Sequence, residues 1–300
     1  MSLATAIAPA PVKPTAPRRV GLIAGWGRYP ILVAEELRRQ GCETYCVGLE
    51  GHADPILAEL CAGFCTMGFG RLGRAIRYMR QHGVHDATMA GKVHKLRLFT
   101  PWMWARQMPD WRTWRRFAKH FLFAMKDRKD DTLLRAVIDE FALDGIHFAP
   151  ATEFAPELLV KPGNLTRRVP SRSERRDIEF GWKIAKELGR LDIGQCVAVK
   201  REATLALEAI EGTDRCIERA GELCTARNFT VVKVAKPKQD MRFDVPTIGV
   251  GTLETMVRAG ASCLAIEAGR TILLDQQDVI AYADRHKLAI VALDAEGAGA

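Results

Sequence analysis

Short apolar strands that run into glycine turns and then into helices recur through the first half of this chain, and few folds accept that rhythm. Val20–Ala24 leads into Gly25-Trp26-Gly27 and a helix from Ile31 to Gln40 that stops at Gly41. Thr44–Leu49 supplies another strand, with a helix expected after Asp54-Pro55, and Gly68-Phe69-Gly70-Arg71-Leu72-Gly73 opens a helix over Arg74–Gln81. Ala87–Ala90 ends in Gly91-Lys92. Strands this short and apolar are buried on both faces, which calls for an α/β fold with a parallel sheet between layers of helices. The turns fall at the carboxyl ends of the strands, where open α/β sheets place ligands. Free N–H groups at such turns make Gly25, Gly27, Gly70, Gly73 and Lys92 candidates for contact with an anion or nucleotide. The dinucleotide fingerprint is incomplete, because Pro30 stands in GWGRYP where a third glycine belongs. A tight turn that needs glycine for backbone reasons alone explains the same residues.

At 300 residues and 48% hydrophobic composition, the chain has enough material for about two domains. We expect an Ala/Pro-rich disordered extension over residues 1–17, a Rossmann-like domain over 18–150 and a second α/β domain over 151–296. The extension lacks the charged start and continuous apolar stretch of a signal peptide. No apolar run approaches the roughly 18–20 residues of a membrane span. A formal charge of +8 favours anionic partners without choosing among phosphorylated small molecules, acidic lipid and nucleic acid. The eight cysteines show no zinc-site spacing and read as reduced thiols of a cytosolic protein.

Leu98–Met125 departs from this pattern, holding four of the six tryptophans among many cations. In helical spacing Trp111, Trp114, Ala118, Phe121, Leu122 and Met125 form one stripe, which suits either packing (core or dimer) or a lipid interface. No recognised nucleic-acid motif accompanies it. Lys129-Asp130-Asp131-Thr132 precedes a helix carrying Leu133, Leu134, Val137, Ile138 and Phe141; Asp130 or Asp131 serves as its N-cap, or Asp131 contacts substrate.

In the second half, Asp177–Leu188 reads as a helix, and Cys196–Val199 with Thr204–Ile210 as a hairpin-like strand pair. Glu211-Gly212-Thr213-Asp214 offers oxygen ligands or simply caps the next helix. Lys233 falls in the apolar run Val231–Val234, where burial is costly without an anionic partner. Most informative is VVKVAKPKQDMRFDVPTI, from Val231 to Ile248. If Gln239–Val245 is extended, alternation puts Asp240, Arg242 and Asp244 on one face and turns Met241, Phe243 and Val245 into packing. Interleaved carboxylates and cations suit a metal-bound, phosphorylated substrate. A surface strand with one charged face is the plainer reading.

The strings GLIAGWGRYP, GFGRLGRAI, MAGKV, KDDTLLRAVIDEF, IAKELGRLDIGQCVAVK, LALEAIEGTD, VKVAKPKQDMRFDVPTIG and AIEAGRTILLD occur in order. Together they resemble the LpxI-type UDP-2,3-diacylglucosamine pyrophosphatases of lipid A biosynthesis, from Arg18 to Leu293. The Ala/Pro extension and the Trp-rich segment are departures. The resemblance implies two α/β domains with the lipid substrate between them. It also implies Mg²⁺-dependent hydrolysis of UDP-2,3-diacylglucosamine to UMP and 2,3-diacylglucosamine 1-phosphate (lipid X), in a cytoplasmic homodimer working beside the inner membrane. It makes the aspartate of RFDVP, Asp244, the essential acid, binding Mg²⁺ or orienting water. Around it, Asp240, Glu211 and Asp214 are candidates for the metal shell, although Mg²⁺ usually takes one or two protein carboxylates. Lys233, Lys236 and Arg242 are candidates to neutralise the diphosphate, with Gln195, Gln239 and Thr213 as polar substrate contacts. Competing readings are a non-catalytic nucleotide-sugar or acyl-lipid binder, a nicotinamide-dependent oxidoreductase and a nucleic-acid binder.

Overall fold

The computed structural model describes residues 17–93, 110–115, 130–237, 239–295 and 297, with the side chains of residues 130–132 also outside the description. The expected disordered extension and most of the Trp-rich stripe, including Ala118, Phe121, Leu122 and Met125, lie outside the described residues.

The first half alternates strand and helix: β1 (Arg19–Ala24), α1 (Tyr29–Arg39), β2 (Glu43–Leu49), α2 (Leu57–Leu60), β3 (Gly63–Met67), α3 (Leu72–Gln81), β4 (Asp86–Ala90), α4 (Asp130–Ala142) and β5 (His147–Phe148). These strands form one parallel sheet in the order β3-β2-β1-β4-β5. The chain winds outward from β1 to β3 and then returns to β4, so the topological switch point lies between β1 and β4. One sheet face packs on Ile31, Val33, Ala34 and Leu37 of α1, the other on Leu72, Ile76 and Met79 of α3 with Ile138 and Phe141 of α4. Strand β3 escapes the apolar-run reading because it is an edge strand, and four of its five residues are partly or fully exposed.

Past the expected division at residue 150, the chain still packs on the first half. Ala151 and Phe154 are buried in the first half's core, with Leu158 and Leu159 packed against it. The segment to Leu158, holding α5 (Ala151–Phe154), therefore belongs with the first sheet.

Helix α6 (Arg172–Arg190) opens on a capping box, in which Glu174 N–H donates to Ser171 Oγ (3.3 Å) and Ser171 N–H to Glu174 Oε2 (2.8 Å). A Cβ at Gly181 would lie 2.9 Å from Val232 Cγ2 and 3.0 Å from Val199 Cγ2, so glycine lets this helix press onto its sheet. That sheet takes the order β6-β13-β11-β9-β7-β8, from β6 (Gly163–Asn164), β7 (Cys196–Lys200), β8 (Ala203–Leu207), β9 (Phe229–Lys233), β11 (Ala261–Glu267) and β13 (Ala289–Leu293). Strands β9, β11 and β13 run parallel, while β7 and β8 form the expected antiparallel pair. Helices α7 (Thr213–Leu223), α8 (Val250–Ala259) and α9 (Gln276–Arg285) contribute Ile217, Leu253 and Val279 to the core on the other face.

The halves are not simply laid side by side. Between β9 and β11, and again after β11, the second half sends chain back to the first. Strand β10 (Thr247–Ile248) pairs in parallel with β12 (Ile272–Leu273). Ile272 is fully buried in the first half's core, where Val245 and Leu274 also pack. Arg28, just after the first glycine turn, bridges Asp275 (3.1 Å) and Glu35 (3.1 Å).

Candidate active site

At the switch point, backbone geometry consumes the glycine turn. Gly25 N–H donates to Ala90 O (2.8 Å), and Trp26 and Lys92 exchange N–H···O bonds, both 2.8 Å. A Cβ at Gly25 would stand 2.8 Å from Lys92 O. The Gly25 amide is therefore not turned to a ligand; close strand approach is the reason for glycine there. Gly27 has φ +109° and open space around it. The Lys92 side chain is exposed.

The second glycine turn is likewise occupied from within. Leu72 N–H donates to Thr113 Oγ1 (3.1 Å), Arg74 N–H to Asp110 Oδ2 (3.1 Å), and Asp110 N–H to Gly70 O (2.9 Å). The protein's own carboxylate satisfies the start of α3, as a helix N-terminus favours. A Cβ at Gly73 would reach Asp110 Oδ2 at 2.8 Å, so the close approach of this internal cap is a reason for glycine there.

The expected strand over Gln239–Val245 is a turn. Asp240 O accepts from Phe243 N–H (3.2 Å) and Asp244 N–H (3.0 Å), so period-two alternation does not apply. The charged residues still gather, by a different route. The nearly buried Asp240 carboxylate accepts from Arg242 Nε (2.8 Å), Arg242 Nη2 (2.7 Å) and the Arg242 N–H (3.3 Å). These hydrogen bonds from Arg242 hold the Asp240 carboxyl below its usual range, despite the opposing effect of burial. Arg135 of α4 approaches the same carboxylate, Nε to Oδ2, at 3.4 Å. Phe243 packs against the first half's core on its α3/α4 side and Val245 against it on the α1 side. Asp244, half-buried between them, is pinned to the junction of the two halves although the second half encodes it.

Lys233 ends β9 and is buried, with Nζ donating to Thr247 O (3.2 Å), just past the Asp244 turn. Among the described residues no carboxylate comes within ion-pair distance of it, an arrangement that favours an incoming anion. The neighbouring start of β7 carries Gln195, whose carbonyl accepts from Val234 N–H (3.0 Å). Gln195 Oε1 and Gln239 Nε2 are buried without hydrogen-bond partners among the described residues, which keeps both amides as candidates for substrate contact.

Other expected members do not join. Glu211 pairs with Arg219 (2.5 Å), and Asp214 lies exposed in the first turn of α7. Thr213 Oγ1 donates to Glu208 (3.0 Å), and Lys236 Nζ pairs with Asp192 (2.8 Å). The Asp131 side chain lies outside the described residues. Among the described residues no group of three or more His, Cys, Asp or Glu could hold a metal, so the four-acid shell of Asp240, Asp244, Glu211 and Asp214 is not assembled.

Sequence reasoning overlooked three groups. Glu208 is a buried carboxylate that takes Thr213 and the Gln195 N–H (3.2 Å). Fully buried Glu267 accepts from Lys186 (2.7 Å) and Ala235 N–H (2.8 Å). The third is Arg135. Its only sequence signal is a cation one helical turn from Asp139 on the same helix face.

Two family models match this chain. The LpxI N-terminal domain matches residues 19–158 and the LpxI C-terminal domain residues 161–291. A protein of Caulobacter vibrioides named UDP-2,3-diacylglucosamine pyrophosphatase LpxI is 34% identical over 284 residues, covering 92% of this chain and 98% of its own length.

Proposed function

This chain belongs to the LpxI family, and from that premise we propose that it hydrolyses the phosphoanhydride of UDP-2,3-diacylglucosamine, a step of lipid A biosynthesis. The observation that carries the assignment of residues is the placement of Asp244 at the junction of the halves, in a turn whose Asp240 carboxylate gathers Arg242 and Arg135, with buried Lys233 bonded to Thr247 just past it.

Water adds to one phosphorus of the diphosphate, and the bridging oxygen departs with the other phosphate. The products are UMP and 2,3-diacylglucosamine 1-phosphate. The Asp244 carboxylate accepts a hydrogen bond from the attacking water and holds its lone pair toward phosphorus. Arg242, fixed by Asp240, and Lys233 offset the charge that builds on the leaving phosphate. Mg²⁺ usually takes one or two protein carboxylates. Asp244 would hold the ion, which would supply further charge neutralisation.

Asp244→Ala should leave the fold intact and abolish Mg²⁺-dependent release of UMP from UDP-2,3-diacylglucosamine. Turnover near the wild-type rate would remove Asp244 from the reaction, and absence of UMP from the wild type would favour a binding protein. No described helix is long and apolar enough to cross a membrane. Exposure of Trp111 (76%) and Trp114 (50%) supports contact of a cytoplasmic protein with the inner-membrane surface, which co-sedimentation of Trp111→Ala/Trp114→Ala protein with acidic vesicles tests. Exposed Leu191, Ile193, Leu207 and Ile210 near edge strand β8 support a homodimer, which sedimentation equilibrium tests.

A further inference from the structure

We infer that Arg135, supplied by α4 of the first half, is a phosphate-binding residue of this site; the inference rests on the hydrolase reading above. The Asp240 carboxylate is committed to Arg242, whose guanidinium approaches both of its oxygens at 2.8 and 2.7 Å. Arg135 reaches one oxygen only, through Nε and at 3.4 Å, and its side chain is 52% exposed. Among the described residues its Nη groups have no hydrogen-bond partner, so an outer N–H edge is presented to solvent. A planar pair of N–H groups is the geometry that two oxygens of a diphosphate accept.

Position supports the same role. The Asp240 side chain meets Arg135 while its main-chain carbonyl accepts the Asp244 N–H (3.0 Å), so one residue connects the guanidinium and the essential acid. Asp139, one turn along α4, acts electrostatically on Arg242. The quartet of Arg135, Asp139, Asp240 and Arg242 is thus formally neutral. Recognition therefore depends on directed N–H groups rather than on bulk attraction. It also means that the first half contributes to the site and does not merely support it.

A purely structural tie is the alternative. The Arg135 side chain is half-exposed, its contact with Asp240 is long, and that carboxylate keeps Arg242, so loss of the Arg135 pair would scarcely disturb folding. The test uses full-length Arg135→Met and Arg135→Lys proteins with Mg²⁺ and inorganic pyrophosphate as probe. Binding is read from pyrophosphate's protection against thermal unfolding, alongside KM and kcat for UDP-2,3-diacylglucosamine. For Arg135→Met, the pyrophosphate Kd and the KM should each rise about tenfold, the loss expected for one charge-assisted hydrogen bond, with kcat much less affected. Arg135→Lys should recover part of that loss, and the melting temperature without ligand should not change. An unchanged pyrophosphate Kd, or weakening matched by a fall in unliganded melting temperature, would overturn the inference. Protection by pyrophosphate requires no turnover, so failure here is distinguishable from failure of the Asp244 assignment.

Discussion

Asp240→Asn separates the two roles that its carboxylate could play. In the structure Asp240 is an arginine anchor, receiving two guanidinium bonds and one backbone bond from Arg242. Asparagine keeps one acceptor oxygen and turns an NH₂ group toward the other donor. One charge-assisted bond is lost, worth about 1.5–3 kcal/mol. With a midpoint shift of about 2–4 °C per kcal/mol, thermal unfolding should occur roughly 3–12 °C earlier. The pH dependence follows from the depressed carboxyl. Asp240 contributes stability above its unfolded-state pKa, and that contribution is lost as pH falls through the lower folded value. The wild-type advantage over Asp240→Asn should therefore be complete near neutrality and shrink below about pH 4. The assay pairs melting curves across this range with the Mg²⁺ dependence of UMP release. Because Asp240 is engaged by arginines, the half-saturating Mg²⁺ concentration should stay near that of the wild type. A requirement raised on the order of 10–100-fold with unchanged melting would make Asp240 a ligand and refute the anchor reading.

Ile272→Ala should cost about 2–5 kcal/mol, because Ile272 is fully buried. Amide exchange should quicken in β1 and β4 of the first half, and an effect confined to β11 and β13 would contradict the interleaving. Glu174→Gln should cost about 2–3 kcal/mol at neutral pH, since the buried carboxylate serves Arg168 (2.7 Å), Ser262 (2.6 Å) and Ser171 N–H (2.8 Å). Burial alone would raise the Glu174 carboxyl, yet these bonds hold it below its usual range, so its contribution should fade as pH drops below about 4. Urea unfolding at several pH values checks both magnitude and sign, and a pH-independent difference would disprove the linkage.

Much of the fold was legible because burial on both faces leaves a local trace. Runs such as Val20–Ala24 and Thr44–Leu49, each bounded by turn residues, became the strands they suggested. Buried β7 was readable for the same reason. Half-exposed β3 and the two-residue strands β5 and β6 were not, since edge or very short strands carry little pattern. The glycine turns were legible, but the choice between a ligand and backbone packing as the reason for them was not. Whether an amide faces a ligand or Asp110 depends on a segment some forty residues away, as the Arg74–Asp110 bond shows.

The sequence by itself determined the alternating α/β order, the parallel first sheet and the family, because each rests on local periodicity or on contiguous motifs. Only the tertiary structure decided that Gln239–Val245 is a turn. Alternation describes a strand when a neighbouring strand completes its hydrogen bonds, and here Asp240 O takes the amides of Phe243 and Asp244 instead. Tertiary structure likewise chose the partners of the charged groups. A carboxylate is drawn to whichever cation the fold brings near, as Asp275 is to Arg28 across 247 residues, and no spacing in the chain records that choice.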